Sequence, residues 1–210
     1  MRQARQADAK GVGFFAGFSA APGNVSDQGV DSSTGAGVRL GWTGKLAPGV
    51  TLGATWASRI SGKFDKYKGL FADGGNFDIP ENYGVGIAVQ ATPQWTIAAD
   101  VQTMRYSQTP FVGNPVANLF AKGQPLGSAN GPGFGWKDVT VFKLGAIHQV
   151  SKDLTLRGGL SLASQTVPES ETVNGSASIP AGFPPAGFGG GNANVRLEEN
   201  IVGLAYGWKF

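Results

Sequence analysis

Apolar and polar residues alternate along most of this chain. Val38, Leu40 and Trp42 alternate with Arg39, Gly41 and Thr43; Val50, Leu52, Ala54 and Trp56 alternate with Thr51, Gly53, Thr55 and Ala57. The same period of two runs through Tyr83–Val89, Trp95–Val101, Phe142–Ala146, Leu154–Leu162 and Val202–Phe210. Successive side chains of a strand point to opposite faces, so this pattern predicts strands with one apolar face. A weaker first strand is expected over Val12 to Ser19, where Phe14 and Phe15 are adjacent. The pattern amounts to about eight strands and no convincing helix.

The connections sharpen the picture. Three are short: Lys45–Gly49, Thr92–Gln94 and Val150–Asp153. Four are long and rich in Gly, Pro, Asn and Ser: roughly 20–35, 62–81, 107–137 and 165–194. Short and long alternate strictly, as the periplasmic turns and extracellular loops of a bacterial barrel do. The expected fold is therefore all-β, an antiparallel transmembrane β-barrel, shortened or partial, forming a single domain over 1–210 with a polar segment at 1–10.

Composition agrees. Charged residues make up 15% of the 210, hydrophobic residues 41%, and glycine accounts for 34. Ordinary soluble domains carry about 25% charged residues. The polar strand positions are mainly Gly, Ala, Ser and Thr, with isolated Arg39, Arg59, Asp100, Lys143 and Arg157. Small residues of this kind suit a narrow or ligand-lined lumen better than a solvated sheet face, which would be rich in Lys and Glu. Arg39, Asp100, Lys143 and Arg157 are the candidate lumen-facing residues. Lys143 and Arg157 are read either as contacts for a carboxylate head group or as partners of lumen acids.

Several chemistries are excluded. The chain has no cysteine and one histidine, His148, so thiol catalysis, cysteine–metal sites and two-histidine mechanisms are out. His148 falls in phase with Phe142 and Leu144 at a strand end, and reads as an interfacial side chain. Gly35-Ala36-Gly37 and Gly189-Gly190-Gly191 follow no strand–helix unit, so they are not phosphate loops. The net charge is +3 and the basic residues are scattered, which gives no nucleic-acid footprint. No cofactor and no enzymatic activity is expected. No run reaches the ~18 apolar residues of a membrane helix, and residues 1–10 do not read as a signal peptide.

Aromatics gather near strand ends at Trp42, Trp56, Tyr83, Trp95, Tyr106, Trp136, Tyr206 and Trp208. Such rings prefer the membrane–water interface and read as girdles, the alternative being a sandwich core. The chain closes on Tyr206, Trp208 and Phe210, aromatic at every second position. This resembles the C-terminal signal that presents outer-membrane barrels to their assembly machinery, where an exposed strand edge pairs by strand addition.

Longer stretches resemble one family. Gly41-Trp42-Thr43-Gly44-Lys45-Leu46, Phe64-Asp65-Lys66-Tyr67-Lys68-Gly69-Leu70-Phe71, Phe77-Asp78-Ile79-Pro80-Glu81-Asn82-Tyr83 and Gly131-Pro132-Gly133-Phe134-Gly135-Trp136-Lys137-Asp138 look like the outer-membrane long-chain fatty acid transporters of the FadL type and their toluene-transporter relatives. The resemblance covers nearly the whole chain. It implies passive uptake of long-chain fatty acids or other hydrophobic compounds across the outer membrane of a Gram-negative bacterium. The implied partners are outer-membrane lipid, the hydrophobic solute and the barrel assembly machinery. Family members are fourteen-stranded barrels with an N-terminal plug and a lateral opening in the wall. The family's signal peptide, plug and first strands have no counterpart in this sequence. A second gap, of roughly two strands, falls near Gln165 to Thr172. These departures support a rival expectation, a shortened or engineered structural mini-barrel without transport activity.

Overall fold

The computed structural model describes residues 2–168 and 200–208. Strands β1 (Arg2–Ala7) and β2 (Asp31–Ala36) pair as a separate two-stranded ribbon. Strands β3 (Arg39–Ala47), β4 (Val50–Ala57), β5 (Asn82–Gln90), β6 (Trp95–Met104), β7 (Val139–Gln149), β8 (Leu154–Ala163) and β9 (Asn200–Trp208) form one sheet in chain order. Every neighbouring pair is antiparallel. Among the described residues β3 and β9 are the two edges, and the sheet is not closed.

The short turns are built from turn chemistry that the sequence displays. Pro48 and Gly49 join β3 to β4, and Gly49 has φ +77°, a backbone state open to glycine at the third position of a type II turn. The register shift between Lys45 and Ala47 absorbs the extra twist. Before β6, the Thr92 hydroxyl accepts from the amides of Gln94 and Trp95 at 3.3 and 3.1 Å. Before β8, the Ser151 hydroxyl accepts from Asp153 and Leu154 at 3.3 and 3.1 Å. Both are hydroxyl-stabilised turns of the same design.

Register fixes two faces. One paired row reads Thr43, Gly53, Gly86, Asp100, Lys143 and Ser161; another reads Lys45, Thr51, Ala88, Ala98, Gly145 and Gly159. The opposite face carries Trp42, Ala54, Val85, Val101, Phe142 and Leu162, then Leu52, Ile87, Ala99, Leu144 and Leu160. Its large side chains lie open: Trp42, Val85, Phe142 and Leu162 are each more than half exposed. This face runs from the row of Leu40, Trp56 and Tyr83 to the row of Trp95 and His148. On β6 these rows are eight residues apart, about 27 Å along the strand and about 20 Å of depth at a tilt of ~40°. With the rings themselves, that is close to the ~25 Å apolar band of an outer-membrane barrel.

The buried core lies in the loops. Phe64, Tyr67 and Phe71 form its centre, with Ala7, Ala9, Leu70, Phe77 and Phe111 packed around them. These residues come from the ribbon and from the connections at 58–81 and 105–138, which sit together at one end of the sheet. Backbone hydrogen bonds stitch the segments: Gly69 donates to Asn24, Asp73 to Ser128, Gly74 to Gly127, and Ala20 to Leu126. Residues 58–81 and 105–138 also contain the four-residue helices α1 (Ala72–Gly75), α2 (Pro110–Gly113) and α3 (Ala117–Phe120).

Two sequence expectations are corrected. Residues 12–19 do not form a strand: Gly13–Phe18 is a 3-10 turn. The adjacent Phe14 and Phe15 break the two-residue period, and their rings lie 3.8 Å apart. Among the described residues the sheet consequently has seven strands, and the polar segment 1–10 contributes β1 to a ribbon outside it. The short helices were not expected, because four-residue turns leave no periodic signature.

The two environments respond differently to truncation. Phe71→Ala is expected to cost about 3–5 kcal/mol by leaving a cavity, read as loss of protease resistance in residues 58–81. Leu144→Ala, on the open apolar face, is expected to change the detergent-solubilised protein by less than about 1 kcal/mol.

Candidate functional site

Two features carry chemistry: the small-residue face of the sheet and the aromatic cluster beyond its end. The first is a surface groove of about 670 Å³, lined by Thr43, Thr51, Thr55, Asp100, Gln102 and Lys143 among glycines and alanines. A second groove of about 640 Å³ backs onto it, lined by Leu52, Val85, Ile87, Phe142, Leu144 and Leu160. Gly53 and Gly86 line both, together with Leu52, Val85, Asp100 and Lys143.

The four charged strand residues lie on one face but do not converge. Asp100 stands directly opposite Lys143 on the neighbouring strand. Its carboxylate leans over Gly86, where a Cβ would collide with Oδ1. Arg157 is paired with Ile147, while Lys143 is paired with Ser161, so their backbone positions are four residues apart in register, about 14 Å along β8 at ~3.4 Å per residue. Arg39 is at the opposite end of the face, across from Ala57. Tyr206 and Trp208 are paired with Leu156 and Leu154; Phe210 lies outside the described residues. His148 stacks flat on Trp95 at 4.1 Å and 8°.

The aromatic cluster continues as a file of rings. Phe71 meets Phe64, Phe77 and Phe111 at 5.7, 5.6 and 4.5 Å. Phe111 meets Phe134 at 5.2 Å, Phe134 meets Trp136 at 6.1 Å, and Trp136 meets Tyr106 edge-on at 5.3 Å. The Tyr106 hydroxyl reaches the Met104 sulfur in β6 at 3.9 Å. Ring contacts thus run from the loop core to the rim of the sheet. Trp136 and Tyr106 belong to this file. The sequence signal was a concentration of aromatics inside Gly- and Pro-rich connections, where chain composition alone suggests mobile loops.

Charge holds the cluster's two segments in place. Asp138, just before β7, accepts from the Ser107 amide and hydroxyl at 3.0 and 2.7 Å, and pairs with Arg105 at 2.7 Å. Burial pushes the Asp138 carboxyl up, but the two Ser107 hydrogen bonds and the Arg105 charge outweigh it and hold it below its ordinary value. In the other segment, buried Asp78 accepts from the Gly62 amide at 3.1 Å and pairs with Arg59 at 3.5 Å.

Comparison with known proteins gives a consistent result. The family model described as outer membrane protein transport protein (OMPP1/FadL/TodX) matches residues 6–182. Among solved structures, the Ralstonia pickettii toluene transporter TbuX is 21% identical over 64% of this chain and 37% of its own, with a TM-score of 0.44. The Pseudomonas putida toluene transporter TodX is 21% identical over 79% of this chain and 40% of its own, TM-score 0.45. A Pseudomonas aeruginosa FadL homologue is 13% identical over 80% and 44%, TM-score 0.47. The chain thus spans about two-fifths of the length of these structures. Comparison with curated protein sequences finds no match.

The Asp138 clasp predicts a pH dependence. Its folded-state pKa is depressed, so its contribution is present above the unfolded carboxyl value of about 3.9 and is lost as pH falls through the lower folded value. Proteolysis within 105–138 is expected to stay slow from pH 7 to about 4 and to accelerate below that. Asp138→Asn is expected to be cut faster from pH 7 to about 4, the difference closing below that as Asp138 is protonated.

Proposed function

This chain belongs to the OMPP1/FadL/TodX family of outer membrane transport proteins, and we propose that it forms membrane wall for passive uptake of hydrophobic compounds across the outer membrane of a Gram-negative bacterium. The observation that carries this reading is the inversion of the sheet. Its large apolar side chains are exposed on one face, while small and polar residues line the other. In water such a face would be a liability of the kind that marks membrane or protein contact; against lipid it is the stable arrangement.

In this proposal Arg39, Asp100, Lys143 and Arg157 face the lumen, and Phe142, Leu144 and Leu160 face lipid. The ring file of Phe71, Phe111, Phe134 and Trp136 offers a solute an apolar path from the loop end toward the sheet. The substrate class is long-chain fatty acids or monoaromatic hydrocarbons. A lipid bilayer leaves no backbone polar group unpaired, so the working wall pairs both β3 and β9 along their outer edges. Tyr206, Trp208 and Phe210 present the last strand to the barrel assembly machinery.

Two measurements test this. The chain has no cysteine, so single cysteines can be introduced on a clean background. Lys143→Cys in liposomes is expected to react with a water-soluble maleimide, and Leu144→Cys to be protected; the reverse pattern would overturn the face assignment. Labelled fatty acid or toluene is expected to enter liposomes holding the chain faster than empty ones. Equal rates for both solutes would sink the transport reading.

A further inference from the structure

The ribbon β1–β2 lies over the aromatic cluster, yet its composition is unlike the cluster's. Its twelve residues, Arg2–Ala7 and Asp31–Ala36, include no apolar side chain larger than alanine. A lone two-stranded ribbon is marginal in water, so its hold on the molecule comes from contacts with residues 58–81. Those contacts are mainly polar, beside the buried Ile60 side chain, which packs so close under Gly35 that a Cβ there would collide with it. The Arg5 guanidinium donates to the carbonyl of Phe77, and to that of Ser61 at 3.2 Å. It passes so close to Gly62 that a Cβ there would collide with it. The Ser33 hydroxyl accepts from the Lys63 amide at 2.8 Å, and the Asp31 carboxylate from the Lys66 amide at 2.9 Å. Lys66 Nζ donates to Val30 at 2.7 Å. Beneath the ribbon, buried Tyr67 donates its hydroxyl to Gly29 at 2.8 Å. Within the ribbon, Ala7 packs on the cluster, and Ala9 just beyond β1 does the same.

Water can replace each of these hydrogen bonds with little net loss, whereas the ring contacts below owe their stability to exclusion of water. The pin is itself imperfect: Arg5 Nε is buried without a hydrogen-bond partner. Burial also pushes the Arg5 guanidinium down from its ordinary value, against the attraction of Asp78. A weakly held polar cover over a dense apolar cluster is the arrangement that opens locally while the rest of the fold stays shut.

We propose that the β1–β2 ribbon is a removable cover over the aromatic cluster of Phe64, Tyr67, Phe71 and Phe77, pinned by Arg5, and that its opening admits a hydrophobic solute to the rings. The admission step rests on the transport reading above; the opening does not.

Hydrogen exchange on the full chain in detergent tests the opening. Amides of 2–7 are expected to exchange faster than those of β5 and β6. Arg5→Gln is expected to speed exchange in 2–7 and in 64–77 about tenfold while leaving β5 and β6 unchanged. Ser33→Ala is expected to act in the same direction and less strongly. Unchanged exchange in 64–77 would overturn the proposal, as would equal acceleration in β5 and β6, which would make Arg5 a general support of the fold. In liposomes Arg5→Gln is expected to raise the initial rate of toluene entry at least about twofold, the direction that opening a gate requires. An unchanged or lower rate, with flux through the unmodified chain, would overturn the gating role. Absence of flux in every variant, with the exchange result intact, would sink the transport reading alone.

Discussion

The antiparallel hydrogen-bond ladder from β3 to β9 is the constraint on which everything else depends. Among the described residues neither face of this sheet packs against another layer, and the buried residues in its strands are confined to strand ends such as Ala57 and Val139. Side-chain packing therefore does not hold the strands together. Their backbone groups pair across six consecutive antiparallel neighbours. In hydrocarbon this is the arrangement that satisfies backbone polar groups without a core. The freedom that the ladder gives the side chains is what allows one face to be apolar and the other nearly bare.

Because the sheet needs no core, the packed interior appears elsewhere. Phe64, Tyr67, Phe71, Phe77 and Phe111 assemble from the long connections at one end. Loops normally stay at the surface because their backbone groups need partners. Here the partners are other loops: Gly69 with Asn24, Gly74 with Gly127, Ala20 with Leu126. The Asp138–Arg105 pair closes the base of 105–138, and Arg5 draws the N-terminal ribbon over 58–81. Aromatic packing and interloop hydrogen bonds thus give these connections the order that their composition conceals.

The glycines belong to this logic. At Gly86 the missing side chain leaves room for Asp100, and at Gly62 for Arg5. The first keeps the small-residue face open. The second lets a cation cross a loop that any larger residue would block. One abundance in the composition therefore serves two separate ends, room for a strand carboxylate and a tight loop contact.

Local pattern along the chain is enough to specify the strands, their faces and the short turns. Side chains of a strand alternate with period two, which places Val85 and Ile87 on one face and Asp100 on the other; Pro48-Gly49, Thr92 and Ser151 lie in the short turns. The tertiary structure alone decided the rest. It turned residues 12–19 into a 3-10 turn, made residues 2–7 one strand of a ribbon, separated Lys143 from Arg157 and gathered the loop aromatics into a core. The physical reason is range. Alternation and turn chemistry act between neighbours in the chain. The Tyr67–Gly29, Arg5–Phe77 and Ser107–Asp138 contacts join residues 31 to 72 positions apart, and no local pattern specifies which distant partner a loop residue will meet.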